Sequence, residues 1–151
     1  MTKHTVYLGL GTNLGDKERN IRHAVEQLRS SAGTITSLSS FYVTEPWGFK
    51  SENTFLNAVV CLLTSLPPYE LLDVTQRIER GMGREMKSLG GIYHDRIIDI
   101  DILLYDEVEI YSDTLVVPHP LMKDRDFVMS PLREIMPPQD YARRFGANSS
   151  R

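Results

Sequence analysis

One stretch near the middle of the chain, residues 96–104, alternates acidic and aliphatic side chains with a period of two. Because successive side chains of a β-strand point to opposite faces, Asp99 and Asp101 share one face of this stretch. The opposite face is aliphatic and consists of Ile98, Ile100, Ile102 and Leu104. Two neighbouring carboxylates repel each other unless a cation or solvent lies between them. The pattern predicts a strand buried on one side whose acidic face meets a metal ion, a basic partner or water.

The composition limits what this strand can belong to. The 151 residues suffice for one domain with its own core, and we expect a single domain over residues 1–151 with a flexible tail from about residue 140. The net charge of −3 predicts no nucleic-acid partner and no anionic-membrane partner. The lone Cys61 excludes an intramolecular disulfide, and the chain has neither a signal-peptide core nor an apolar span of roughly 20 residues. We therefore expect a soluble cytoplasmic protein.

Apolar spacing and turn residues predict an alternation of strands and helices. The expected strands are 5–10, 34–43, 55–63, the acidic strand, and short ones at 108–110 and 115–117. The expected helices are about 17–30 with Asp16 as N-cap, 68–80, and 128–135, and the chain is expected to be polar or irregular from 137. This order predicts an α+β sandwich of ferredoxin-like type, with helices packed on a mostly antiparallel sheet. The loop at 44–53 leaves no room for the extra helix that a doubly wound parallel fold requires.

The acidic pair suits magnesium. Mg²⁺ prefers octahedral oxygen ligands, often one or two carboxylates together with substrate phosphates. No His or Cys lies close in sequence to Asp99 and Asp101 to complete a zinc site. Arg84, Lys87 and Arg96 flank a glycine-rich loop at 81–95, and arginine offers a planar fork to phosphate oxygens. Carboxylates, arginines and a mobile loop within 18 residues together indicate phosphoryl-type transfer.

Several other residues allow two interpretations each. The glycines at 9, 11 and 15 have the spacing G-x-G-x-x-x-G, which is not the dinucleotide fingerprint and is typical of a tight turn. His119, between two prolines, fits either a hydrogen-bonded corner or a ligand contact. Asn57, a carboxamide within an apolar strand, needs either a backbone partner or a ligand. The more ordinary roles are solvent exposure for Arg125 and core packing for the aromatic residues Trp47, Phe55 and Phe127.

Two other classes of protein share parts of this pattern. A small-molecule-binding domain of ferredoxin-like type without catalysis has the same fold, but it leaves a carboxylate pair close to arginines unexplained. A metal-dependent nuclease or phosphatase could use the same aspartates. A nuclease is expected to carry a basic face, and the net charge of −3 argues against one.

With these residues in place, the chain resembles the 6-hydroxymethyl-7,8-dihydropterin pyrophosphokinases of folate synthesis. The matching stretches occur in the family's order and extend from residue 5 to about 138. They are 9–16, 39–48, 55–58, 76–79, 83–84, 96–103 and 117–122. The Asp-x-Asp block followed by Pro-His-Pro-x-Met is the specific part of the likeness, whereas the glycine turn alone is not.

The resemblance implies transfer of the β,γ-diphosphate of ATP to the hydroxymethyl oxygen of the pterin, with release of AMP. It implies that Asp99 and Asp101 hold two Mg²⁺ ions and act in catalysis together with Arg84 and Arg96. The implied ATP-binding residues are Gln76, Glu79, Arg84, Arg96, Ile102, His119 and Arg125. The implied pterin-binding residues are Thr44, Pro46, Trp47, Phe55, Asn57, Asp99 and Phe127. The implied partners are these two substrates alone, with the chain acting as a monomer.

One departure from the family pattern falls in the glycine-rich loop. The family commonly ends this loop with Trp-Gly-Pro-Arg, where this chain has Tyr93-His94-Asp95-Arg96. The arginine is retained and the tryptophan is not. We expect Tyr93 to take the place of the tryptophan in closing the loop over the substrates.

Overall fold

The computed structural model describes residues 2–45, 54–83 and 97–146. Its main sheet has five strands, with the order β2-β4-β1-β5 and with β3 also pairing with β4. The strands are β1 (His4–Thr12), β2 (Thr34–Leu38), β3 (Tyr42–Thr44), β4 (Phe55–Thr64) and β5 (Asp99–Tyr105). Every pairing in the sheet is antiparallel. The predicted ferredoxin-like α+β sandwich is confirmed.

The helices form where the sequence provides the start signals and an apolar stripe. They are α1 (Lys17–Ser31), α2 (Pro68–Gly81), α3 (Asp126–Ile135) and α4 (Pro138–Phe145). Asp16 caps α1 as predicted, because its carboxylate accepts a hydrogen bond from the Arg19 N–H at 3.2 Å. A small hairpin of β6 (Ile110–Tyr111) and β7 (Val116–Val117) lies between β5 and a short 3₁₀ turn at Met122–Asp124.

The sheet separates two apolar layers. One layer contains the buried side chains of α1 and α2, such as Ile21, Leu28 and Leu71, each without exposed surface. The other layer contains the buried side chains of α3 and α4, including Leu132 and Tyr141. Strands β1, β4 and β5 contribute residues to both layers, so one helix pair lies on each face. The molecule therefore has three layers with the sheet in the middle.

The predicted strand at 34–43 is wrong, because it is two strands interrupted at residues 39–41. The interruption is caused by Ser39, which is buried. Its backbone N–H still donates to the Val59 carbonyl at 2.9 Å, but the Val59 N–H donates to the Ser39 hydroxyl, also at 2.9 Å. A side-chain oxygen thus replaces the backbone acceptor of the ladder, and the chain leaves the strand before β3 begins.

Two further expectations are wrong. The chain is not irregular from residue 137 onward, because α4 covers 138–145 and buries Tyr141 against the α3 side of the sheet. Leu104 does not share a face with Ile102, because the pairing of β5 with β1 shifts between Tyr7 and Leu8. Residue 103 is the extra residue of this bulge, so Leu103 and Leu104 both pack in the α3 layer.

Gly33, between α1 and β2, is a position where a side chain does not fit. A Cβ atom there would lie 2.2 Å from the Leu63 carbonyl oxygen, which belongs to the backbone of β4. We expect Gly33→Ala to lower the free energy of unfolding by about 3 kcal/mol, since the backbone must move to relieve the contact. Urea denaturation measures the change.

The matched control for this substitution is Gly81→Ala at the last residue of α2. A Cβ atom at Gly81 would have no heavy atom within 4 Å. This variant is expected to be neutral or slightly stabilising, because alanine reduces the freedom of the unfolded chain. Equal urea midpoints for the two variants would contradict the close contact at Gly33.

Within 2–45, 54–83 and 97–146, no helix is both long enough and apolar enough to cross a bilayer.

Candidate active site

A cleft of about 720 Å³ opens at one end of the sheet, on the face covered by α3. Its walls come from β1, β3, β4, β5, the residues after β7, and the first turn of α3. The lining residues are Gly9, Leu10, Gly11, Thr44, Glu45, Phe55, Asn57, Asp99, Asp101, Leu103, His119, Arg125, Phe127 and Val128. The cleft brings together eight of the residues that were predicted for catalysis or binding. These are Thr44, Phe55, Asn57, Asp99, Asp101, His119, Arg125 and Phe127.

Two glycines of β1 form part of the cleft wall. Gly11 pairs with Asn57 on one side and with Asp99 on the other, and Gly9 pairs with Asp101. Neighbouring strands are about 4.8 Å apart, so the carboxamide and the carboxylate flank a position that has no side chain. Strand β1 extends beyond the predicted strand at 5–10, since it continues through Thr12. The glycines create space between the two polar strands.

The acidic pair lies in this cleft as the strand pattern predicted. Asp99 and Asp101 are both half-buried, and Leu103 extends their face of β5. No group of three or more His, Cys, Asp or Glu side chains within the described ranges could hold a metal ion. A pair of carboxylates beside open space fits a cation that also takes ligands from water and substrate, which is the usual mode for Mg²⁺. The donor set therefore fits magnesium and does not fit a structural zinc site.

His119 is fixed by two backbone contacts. Its backbone N–H donates to the Leu103 carbonyl at 3.0 Å, and its ring atom Nδ1 accepts from the Leu121 backbone N–H at 3.2 Å. Burial lowers the pKa of His119, the charge of Arg125 lowers it further, and Asp99 opposes this shift in part. The ring is therefore neutral near pH 7, and because Nδ1 is an acceptor, the proton sits on Nε2. His119 can offer one hydrogen-bond donor to a ligand in the cleft.

Arg125 and Phe127 stand together at the start of α3. The guanidinium carbon of Arg125 lies 5.6 Å from the centroid of the Phe127 ring, within the range of a cation–π contact. Both side chains are half-buried and line the cleft. A permanent cation in the same cleft as the acidic pair indicates a site for a ligand that carries negative charge.

The carboxamide of Asn57 is oriented by β3. Its Nδ2 donates to Thr44 Oγ1 at 2.9 Å and to the Tyr42 carbonyl at 3.3 Å. A carbonyl can only accept, so the amide orientation is determined and both Nδ2 protons are used within the protein. The remaining atom, Oδ1, lies on the Gly11 side, where a Cβ atom would approach it to 3.2 Å. Asn57 therefore presents an acceptor at the cleft, next to the ring of Phe55.

Three of the predicted ATP-binding residues do not line the cleft. Ile102 is buried in the α1 and α2 layer, on the other face of β5. Glu79, on α2, is buried and accepts the Ile100 N–H at 2.7 Å. Gln76 lies one turn earlier on α2 and is half-buried. The roles assigned to these three residues remain predictions.

Other predicted residues lie outside the described residues. They are Pro46, Trp47, Arg84, Tyr93 and Arg96. Their assignments likewise remain predictions.

Sequence reasoning missed several cleft residues. Gly9 and Gly11 were interpreted as turn residues, although their period of two, continuing an apolar strand, is the signal for a strand face without side chains. Glu45 follows Thr44 directly and lines the cleft. Outside the cleft lining, the Lys17 ammonium donates to the Thr54 carbonyl at 2.8 Å and so anchors the residue before Phe55. No local signal in the sequence indicates the contact between Lys17 and Thr54, because the two residues are 37 residues apart.

The fold and the cleft define an α+β sandwich with a small-molecule site between an acidic strand and an aromatic wall. The family model described as 7,8-dihydro-6-hydroxymethylpterin-pyrophosphokinase (HPPK) matches residues 7–137, and the chain belongs to this family.

Relatives named 2-amino-4-hydroxy-6-hydroxymethyldihydropteridine pyrophosphokinase support the assignment. The one from Porphyromonas gingivalis is 52% identical over 133 residues, covering 87% of this chain and 90% of the relative. The one from Bacillus subtilis is 45% identical over 130 residues, covering 85% and 76%.

Solved structures share the fold. A Plasmodium falciparum HPPK-DHPS crystal structure with pteroate superposes with a TM-score of 0.69 at 17% identity. The match covers 88% of this chain and 39% of that chain. This chain therefore spans well under half of the length of that protein, and the likeness concerns the fold alone.

Proposed function

We propose that this chain transfers the β,γ-diphosphate of ATP to the hydroxymethyl oxygen of 6-hydroxymethyl-7,8-dihydropterin, forming AMP and the pterin diphosphate in folate synthesis. The observation that carries the proposal is that one cleft holds both the acidic pair and the carboxamide with its aromatic neighbours. The family match over residues 7–137 supports it, as do the relatives named as pyrophosphokinases.

The phosphate side of the cleft is proposed to centre on Asp99 and Asp101. These carboxylates would hold Mg²⁺, with two ions expected, which when bound offsets the charge of the triphosphate and polarises the β-phosphorus for attack. Arg125 would neutralise phosphate charge, and His119 would donate from Nε2 to a phosphate or ribose oxygen. Arg84 and Arg96 remain proposed to act on the same phosphates.

The adenosine end of ATP is proposed to pass along the outer edge of β5 toward α2. Among the described strands β5 pairs only with β1, so the backbone groups of its outer edge take partners other than a strand. Glu79 already bonds to this edge at Ile100, and Gln76 and Ile102 lie nearby in sequence on α2 and β5. This arrangement supports the three ATP assignments that fall outside the cleft.

The pterin is proposed to lie between Phe55 and Phe127. Offset stacking of a flat heterocycle on aromatic rings adds about 0.5–1.5 kcal/mol beyond the burial of apolar area. Asn57 Oδ1 would accept a hydrogen bond from an N–H of the ring edge, since its own amide protons are bound to β3. Thr44 would act mainly by holding this carboxamide.

The chemistry asks the protein for positioning and charge neutralisation. The hydroxymethyl oxygen attacks the β-phosphorus, the bond from that phosphorus to the bridging oxygen of the α-phosphate breaks, and AMP leaves with the electron pair. The alcohol proton is lost to solvent or to a nearby base. The protein side chains hold the oxygen and the phosphorus in line and form no covalent bond.

Product analysis tests the function directly. The protein is incubated with ATP, Mg²⁺ and 6-hydroxymethyl-7,8-dihydropterin, and AMP and the pterin diphosphate are expected in equal amounts. Omission of the pterin should suppress AMP formation. Formation of ADP or phosphate without pterin would indicate a hydrolase, and absence of any product would indicate a binding module.

Gly11→Ala is expected to weaken the pterin site. The new methyl group would lie 3.2 Å from Asn57 Oδ1, and this carboxamide is held by two hydrogen bonds and cannot retreat freely. We expect the KM for the pterin to rise about fivefold, which corresponds to about 1 kcal/mol. Steady-state kinetics with each substrate varied in turn gives the KM values.

Gly9→Ala is the comparison for this substitution, two residues away on the same strand. The atoms nearest to its Cβ atom would belong to the Leu103 side chain, at 3.5 Å, which is an ordinary contact. The KM for the pterin should change less than in Gly11→Ala. A larger rise in Gly9→Ala would contradict the assignment of Gly11 to the pterin side.

A further inference from the structure

The far end of α3 carries a polar cluster outside the cleft. Three donors converge on the carboxylate of Glu134. The Ser40 N–H lies 3.1 and 2.9 Å from its two oxygens, the Ser40 hydroxyl donates to Oε2 at 2.7 Å, and the Tyr42 hydroxyl donates to Oε1 at 2.9 Å. The partners are 92 and 94 residues away in sequence. The cluster joins α3 to β3 and to the connection between β2 and β3.

The joined elements both contribute to the lining of the cleft. Phe127 and Val128 lie at the start of α3, and Thr44 lies at the end of β3. Phe127 and Glu134 are seven residues apart on one helix, which corresponds to about 10 Å. Pro131 lies between them and cannot donate a helical hydrogen bond to the Phe127 carbonyl, so the bonds to Glu134 restrain the C-terminal part of α3 against β3 directly and reach Phe127 only through the helix.

Strand β3 has few other attachments. It is three residues long, and among the described strands it pairs only with β4. Its middle residue, Val43, is 68% exposed and contributes little burial. A short strand at the edge of a sheet is held weakly by its ladder alone. The bond from Tyr42 to Glu134 therefore adds a tie from α3 to the ladder with β4 and to the two bonds from Asn57 Nδ2.

The connection from Glu134 to the cleft runs through one residue. Tyr42 uses its hydroxyl for Glu134 and its backbone carbonyl for Asn57 Nδ2. Thr44, two residues later on the same strand face, accepts the other Nδ2 proton. A displacement of β3 would therefore turn the carboxamide whose Oδ1 faces the cleft.

The charge on Glu134 strengthens these contacts. Burial by itself raises the pKa of Glu134, but the hydrogen bonds from the Ser40 hydroxyl, the Ser40 N–H and the Tyr42 hydroxyl lower it, and the net direction is downward. The hydrogen bond to Glu134 raises the pKa of Tyr42, so the phenol stays a donor. Hydrogen bonds to an ionised carboxylate are stronger than those between neutral groups.

We propose that Glu134 is a positioning residue for the pterin, which sets the carboxamide of Asn57 through its hydrogen bonds to Ser40 and Tyr42. This inference rests on the proposed function for the identity of the substrate. Glu134 does not line the cleft, so its effect on the substrate passes through β3.

The first test variant is Glu134→Gln. It keeps the shape of the side chain, but its amide NH₂ faces a donor in place of one carboxylate oxygen, which breaks the Ser40 or the Tyr42 contact. We expect the KM for the pterin to rise about tenfold, in line with the loss of hydrogen bonds to a charged group at an exposed site. The KM for ATP and kcat should stay within about twofold of the wild type.

Tyr42→Phe and the double variant separate positioning from stability. Tyr42→Phe removes only the phenol contact, so its KM for the pterin should rise about threefold. In the double variant, which combines Glu134→Gln with Tyr42→Phe, the KM for the pterin should rise no more than in Glu134→Gln alone. Both substitutions break the same connection. Glu26→Gln on α1 is the control, since it removes an exposed carboxylate whose ion pair with Arg29 lies on a helix with no cleft residue.

The outcomes are distinct. Wild-type protein that forms no AMP would defeat the proposed function itself. Active wild type together with an unchanged KM for the pterin in Glu134→Gln would overturn the positioning role. So would a loss of kcat with both KM values unchanged, accompanied by a lower unfolding temperature, because that is the result of a purely structural role. A selective rise in the KM for the pterin, absent in Glu26→Gln, supports it.

Discussion

Asp99→Asn and Asp101→Asn, made separately, are each expected to lower kcat for AMP formation by about 10³-fold, corresponding to about 4 kcal/mol of transition-state stabilisation. Each substitution keeps the size of the side chain and removes the charge of one of the two aspartates that line the cleft. An amide oxygen is a weaker ligand for Mg²⁺ than a carboxylate, so the Mg²⁺ concentration needed for half-maximal rate should also rise. Initial rates measured over a range of Mg²⁺ concentrations give both quantities.

Asp73→Asn is the matched control for the acidic pair. Asp73 lies on the exposed side of α2 and does not line the cleft. Its activity should be unchanged. All three variants should unfold within about 3 °C of the wild type, because none of the three aspartates is part of the apolar core. Near-normal turnover in either Asp99→Asn or Asp101→Asn would contradict the proposal that the two carboxylates together hold Mg²⁺ for the reaction.

The binding of a metal ion, measured without turnover, tests the same site independently. Mn²⁺ prefers similar oxygen ligands and can be followed by its paramagnetic resonance in the presence of a non-hydrolysable ATP analogue. Binding of Mn²⁺ to the wild type, and weaker binding to Asp101→Asn, would show that the acidic face holds a cation even when no transfer takes place. Equal binding to the two proteins would place the cation elsewhere.

The parts of the fold that depend on periodicity were accessible from the sequence. The alternation around Asp99 and Asp101 placed both carboxylates on one strand face, and the structure has them together in the cleft. The stripe of Ile21, Val25 and Leu28 defined α1 and its buried side. Both signals are local, since they follow from the geometry of one element and need no knowledge of its partner.

The corrections arise where a side chain or a register shift overrides the local pattern. The apolar and polar order of 34–43 continues through Ser39, but the Ser39 hydroxyl takes a backbone position in the ladder and ends β2. Leu104 departs from the period of two because β5 has one residue more than β1 at that point. Helix α4 was missed because its core contribution is a single buried residue, Tyr141, in an otherwise polar segment.

The site required more than local reasoning. The resemblance to the pyrophosphokinases supplied most residue roles, and the residues alone left a binding module and a hydrolase open. The contacts that orient the site join distant parts of the chain, as between Glu134 and Ser40, which are 94 residues apart. Such contacts leave no pattern in one sequence, because each partner alone is an ordinary polar surface residue.

Asn57→Leu is expected to show the second large effect, on the pterin side of the cleft. Asn57 is 6% exposed, and its Oδ1 is the acceptor that faces Gly11 and the ligand space. Leucine has a similar volume but no acceptor, so an N–H of the pterin edge would be buried without a partner. We expect kcat/KM for the pterin to fall about 100-fold, equivalent to about 3 kcal/mol, with the KM for ATP within twofold.

Thr44→Val separates orientation of the carboxamide from its presence. It removes the acceptor for one Nδ2 proton of Asn57 and leaves the second bond, to the Tyr42 carbonyl, in place. The acceptor Oδ1 stays in the cleft but is less well fixed, so kcat/KM for the pterin should fall about fivefold, less than in Asn57→Leu. Parallel losses for ATP and pterin in Asn57→Leu would point to general disruption of the cleft. An unchanged kcat/KM for the pterin would show that Asn57 serves only to bind β3 to β4.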